Sequence, residues 1–141
     1  MFNFLRNKSI GISTADLDGC IAHIISLPNS AQLVGQIIGS IYHWYTKICT
    51  EGVTAKQVQD HYQDHKNKIM LDRGLKNLRD SDFCIGYILM CFFFFLVNYE
   101  NGASREGARK ILQLCEKFSG SSDKDIAFKV TKPFKEVFFE I

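Results

Sequence analysis

Fifteen consecutive residues, from Phe83 to Val97, contain no polar side chain apart from the phenol of Tyr87: F-C-I-G-Y-I-L-M-C-F-F-F-F-L-V. A helix that is apolar on every side has no face for water and must be covered all round, by protein or by lipid. Fifteen helical residues reach roughly 22 Å, short of the roughly 30 Å hydrocarbon layer of a membrane. Arg79, Asp80, Asp82 and Glu100 bring charges to both ends. The segment therefore reads as the central helix of a helical bundle, covering about 82–99. A membrane anchor at 83–97 is the alternative.

The rest of the chain supplies amphipathic cover. Ser13 with Asp16 three residues on marks a helix start, and Leu17, Cys20, Ile21, Ile24 and Ile25 follow at helical spacing until Pro28. Asn29 or Ser30 opens a second helix, striped by Leu33, Ile37, Ile41, Trp44 and Ile48 and ended at Glu51-Gly52. Thr54 opens a third, with Val53 and Val58 placed as a hydrophobic staple across its start. This third segment, to about Arg79, is polar. Its thin stripe runs Val58, Tyr62, His65, Ile69 and then Leu71, Leu75 and Leu78, with Gly74 as a break, which places it on the outside. Ser81-Asp82 is the expected cap of the central helix, and Asn101-Gly102 its stop. Ser104 then starts a fifth helix bearing Ala108, Ile111, Leu112, Cys115 and Phe118, before a Gly120-Ser121-Ser122 linker. The tail, 125–141, fits either a helix broken at Pro133 or a short hairpin, because Ile126, Phe128 and Val130 alternate; helix is favoured. The expectation is an all-α single domain, 1–141, of five to seven helices.

With 141 residues, such a domain removes roughly two-thirds of its unfolded surface from water and folds without staples. Twelve phenylalanines give the core large rigid rings. A net charge of +2 offers no field for nucleic acid. The basic run Lys66, Lys68, Arg73, Lys76 and Arg79 is interleaved with Asp60, Asp64, Asp72 and Asp80, a mixed-charge face exposed to water. The cysteines, Cys20, Cys49, Cys84, Cys91 and Cys115, are odd in number and widely spaced, without a C-x-x-C pair. The N-terminal Met1–Lys8 segment has its charges after a brief apolar patch, the reverse of a signal peptide. Both features fit reduced thiols and a cytoplasmic protein.

No nucleophile elbow, P-loop or dinucleotide fingerprint occurs, and no cofactor is implied. His61 and His65 stand four apart, so on a helix they share a side and are the candidate metal pair. Tyr62, however, occupies the place where the helical zinc pattern H-E-x-x-H has its general base, which removes that mechanism. His43 beside Trp44, and His23 within an apolar helix, lack a nearby carboxylate in sequence and read as structural histidines. The remaining candidate is a protein-binding face on the third helix: Gln57, Asp60, His61, Tyr62, Asp64, Lys68 and Asp72, continuing to Arg79. An aromatic ring among mixed charges suits a protein contact. The expectation is a small non-enzymatic protein-binding module of the inhibitor or toxin-immunity kind, although +2 sits poorly with an immunity protein against a basic nuclease. A metal-dependent protein using His61 and His65 and a membrane-associated protein are the alternatives.

Overall fold

The computed structural model describes residues 13–73, 80–117 and 132–136, all helical apart from caps and turns, with no strand among them. The helices are α1 (Thr14–Ser26), α2 (Ser30–Glu51), α3 (Ala55–Arg73), α4 (Ser81–Val97) and α5 (Gly102–Lys117). A short helical segment follows at 132–136, with Pro133 in its first turn, where a missing N–H costs nothing. This bears out the all-α bundle and, within 132–136, helix in place of a hairpin. The readings made on Leu75, Leu78, Gly74, Arg79, Phe118, the 120–122 linker, Ile126, Phe128 and Val130 lie outside the described residues.

The apolar run is the hub. Eleven residues of α4 are buried, including Phe83, Ile88, Leu89, Met90, Phe92 and Phe93, and α4 packs against all four other helices. Leu17, Cys20 and Ile24 come to it from α1, the Leu33–Ile41 stripe from α2, and Ala108, Ile111, Leu112 and Cys115 from α5. Phe134 adds an edge-on ring to Phe92 at 4.9 Å and to Tyr45 at the same distance. No described helix is long and apolar enough to cross a membrane. α5 reaches α4 closely because Gly107 has no Cβ; one placed there would run into the ring of Phe95. Ion pairs between distant parts of the sequence fasten the rim, Lys110 to Asp18 at 2.9 Å and Lys135 to Glu116.

The helix ends follow local chemistry. Ser13 Oγ accepts from the Asp16 N–H at 3.3 Å, as the sequence suggests. Thr54 and Gln57 form a reciprocal capping box: the Thr54 N–H donates to Gln57 Oε1 at 2.9 Å and the Gln57 N–H to Thr54 Oγ1 at 3.1 Å. Gly52, at φ 73°, turns the chain out of α2 in the left-handed region that favours glycine. Two starts differ from expectation. Asp80, not Ser81 or Asp82, caps α4, its carboxylate accepting from the Phe83 N–H at 3.0 Å. Asn101 caps α5 through the Ala103 N–H at 2.8 Å, so Asn101-Gly102 opens a helix as well as following one, and Ser104 is buried inside it.

The largest correction concerns α3. It packs more extensively on α4 than any other helix does. Its buried side is Val58, Gln59, Tyr62, Lys66 and Ile69, whereas His65 is exposed and Leu71 is 86% exposed. Gln59 and Lys66 fall on the same side as Val58, Tyr62 and Ile69 at the 3.6-residue period, and a stripe drawn through apolar residues alone passes them over.

Burial holds several acidic protons in place. The thiols of Cys91 and Cys115 and the phenol of Tyr87 are pushed above their ordinary ranges chiefly by burial, Cys115 to about 12. All three are neutral in the fold and ionise more readily once it is lost, so the unfolded chain sheds their protons first as pH rises. Their contribution is complete below an ordinary thiol value of about 9 and declines from there through about 12. The urea midpoint should therefore fall between about pH 8 and about pH 11, and a flat profile would contradict the burial of these groups. Phe93, 0% exposed, tests the hub directly. Phe93→Asp should cost several kcal/mol and abolish cooperative thermal unfolding by circular dichroism, because a carboxylate there loses its hydration in an apolar core.

Candidate functional site

The hairpin of α2 and α3 around Gly52 brings together side chains that lie far apart in sequence. Trp44 on α2 meets His61 on α3 with ring centroids 5.3 Å apart and a 50° tilt. His43 stands edge-on to the same indole at 5.1 Å, and Tyr62 does so at 6.4 Å. The indole Nε1–H donates to the Tyr62 hydroxyl oxygen at 2.8 Å. Burial raises the Tyr62 phenol above its ordinary range, and the neighbouring donors Trp44 and Ser40 of α2 offset part of the rise. Tyr62 then stacks on Phe93 of α4, 6.4 Å away and 9° from parallel. A line of rings thus runs from the hub to the surface, ending in a half-buried Trp44 flanked by exposed His43 and His61. Tyr42, 50% exposed, lies two residues from Trp44.

The residues of the expected binding face divide into two sets. His61, Asp64, Lys68 and Asp72 are exposed on α3. Asp60 is also exposed but holds Lys56 at 2.6 Å. Gln57 is exposed with its amide engaged in the capping box. Tyr62, expected at the edge of the face, is buried and serves as the link between α2, α3 and α4. Exposed His43 and half-buried Trp44 belong beside His61, which the third-helix reading alone did not include. A signal for this was present: Trp44 lies eight residues before Gly52 and His61 nine after it, so two antiparallel helices turned at Gly52 place them opposite each other.

His65 turns its ring toward α4, where a Cβ on Gly86 would lie 2.9 Å from His65 Cδ2. Among the described residues, no group of three His, Cys, Asp or Glu side chains is arranged to hold a metal ion, so His61 and His65 have no third protein ligand there. Nε2 of His23 and Nε2 of Gln59 are buried with no hydrogen-bond partner among the described residues. Searches against protein-family models, curated proteins and solved structures found no match.

Trp44 is the single tryptophan of the chain and reports on this cluster by its emission. Tyr62→Phe should cost on the order of 1–2 kcal/mol in urea unfolding, because it removes the acceptor of the Trp44 hydrogen bond and strands a half-buried indole N–H. His61→Ala should shift the emission of Trp44 while changing stability by no more than about 0.5 kcal/mol. Equal costs for the two substitutions would contradict the division of roles between them.

Proposed function

We propose that the chain is a small non-enzymatic protein-binding module, of the inhibitor or immunity kind. Its contact surface is centred on Trp44, His43 and His61 and extends along Asp60, Asp64, Lys68 and Asp72. The observation that carries this reading is the placing of a half-buried indole between two exposed imidazoles, anchored from below by the Tyr62 hydrogen bond. Rigid aromatic groups at a surface lose little conformational freedom on binding and are the residue types on which contact energy concentrates. The charged residues around them suit the polar rim that surrounds such a centre. Free thiols at all five cysteines support a reducing, cytoplasmic setting.

The reading is tested by placing a photo-crosslinking side chain at position 61 or 64 of the full chain, with position 113 on the exposed side of α5 as control. In extract of the native cell, positions 61 and 64 should yield one shared adduct of discrete mass, absent from 113. The same adduct pattern from all three positions, or none from 61 and 64, would overturn it.

A further inference from the structure

His43 of α2 and His61 of α3 are both exposed, and each is in ring contact with Trp44, at 5.1 Å and 5.3 Å between centroids. Two groups able to take up a proton thus flank one indole at the centre of the candidate surface. We propose that His43 and His61 form a proton-operated switch: with both imidazoles neutral the surface accepts its protein partner, and their protonation releases it. The switch rests on the protein-binding reading above and adds the condition under which that surface is open.

Imidazole is the side chain that ordinarily changes charge between about pH 5 and about pH 8. Carboxylates ordinarily do so at lower pH, and ammonium groups and phenols at higher. The groups facing the cluster divide accordingly. On α2, Lys47 pairs with Glu51 at 3.5 Å, and Tyr42 is exposed beside His43. On α3, Lys56 pairs with Asp60 at 2.6 Å, Asp64 is exposed one turn beyond His61, and His65 holds its ring against Gly86. α4 meets the cluster through Phe93, beneath Tyr62. Burial raises the Tyr62 phenol, so the acceptor of the indole N–H keeps its own proton across this range. Charge at the centre of the surface therefore changes through the two imidazoles.

The direction follows from desolvation. A partner seated on Trp44 takes water from the rings beside it. An imidazolium loses far more hydration there than a neutral imidazole does, and the dry centres of protein contacts are correspondingly poor in charge. The partner selects the neutral form, so by linkage acid opposes binding. An imidazole that must shed its proton costs up to about tenfold in affinity for each further pH unit of acid, and two cost up to about a hundredfold.

The experiment uses the full chain with a photo-crosslinking side chain at position 64, in limiting extract of the native cell, at steps from about pH 8 to about pH 5. Trp44 emission of the chain alone is recorded at the same steps. Adduct yield should fall at least about tenfold toward the acid end. Emission should fall with it, since an imidazolium in ring contact quenches an excited indole by accepting its electron. The double variant His43→Gln/His61→Gln, which cannot take the protons, should hold both readings level, and each single substitution should make the fall shallower. His65→Gln should leave the fall unchanged, because that ring lies against α4. A level yield from the chain with both histidines would overturn the switch and leave the binding reading standing. No adduct at any pH would overturn both. A fall that survives in the double variant belongs to the partner or to acid unfolding, and sinks the switch equally. Where the double variant yields no adduct, emission decides: a step that persists without the two imidazoles refutes the switch, and one that vanishes supports it.

Discussion

An apolar cylinder without a wet face is the constraint from which the rest of the molecule follows. α4 cannot stand at a surface, no described helix is long and apolar enough to cross a membrane, and the neighbouring helices wrap it in a sleeve of protein. Each neighbour answers that demand with a single apolar side: three residues of α1, the Leu33–Ile41 stripe of α2, and seven buried positions on α5. Because phenylalanine dominates the hub, contacts are set by ring geometry. Phe92, Phe93 and Phe134 meet edge to face, whereas Tyr62 and Phe93 lie parallel. Such packing fixes where a covering helix can lie, and the missing Cβ of Gly107 fixes how near.

The candidate surface is an extension of the same core. Tyr62 is at once a core ring against Phe93 and the acceptor that fixes Trp44 in place. Rigidity at the surface therefore derives from packing beneath it, and the exposed imidazoles of His43 and His61 are held against a ring that cannot turn freely. The polar side chains farther along α3 have no such anchorage, and ion pairs such as Lys56–Asp60 at the surface contribute little to stability.

What was legible in the sequence was local. The α4 run is legible from one unbroken stretch, and the Ser13 cap, the Thr54 start and the Gly52 stop each depend on residues within five positions of one another. Ambiguity entered where several side chains compete for one role. Asp80, Ser81 and Asp82 can each cap, and only the backbone of Asp80 is extended as a cap requires. The buried side of α3 differs from the apolar stripe because Lys66 reads as a solvated charge and Gln59 carries no apolar signal, although period places both inward. At the candidate site His61 is legible by itself, whereas its partner Trp44 emerges only when α2 and α3 are aligned across Gly52.

The hub is the fourth described helix in chain order, with a consequence for synthesis on the ribosome. α1, α2 and α3 leave the exit tunnel before the residues they are built to cover. Leu17, Ile24, the Leu33–Ile41 stripe and Tyr62 have no complete surface to bury against until Val97 has emerged. For that interval the nascent chain presents unmatched apolar faces, the state in which helices associate wrongly with neighbours and recruit chaperones. Placing the most apolar segment late shortens its own exposure and lengthens that of its cover. The pace at which α3 and α4 appear sets how long those faces stand unmatched.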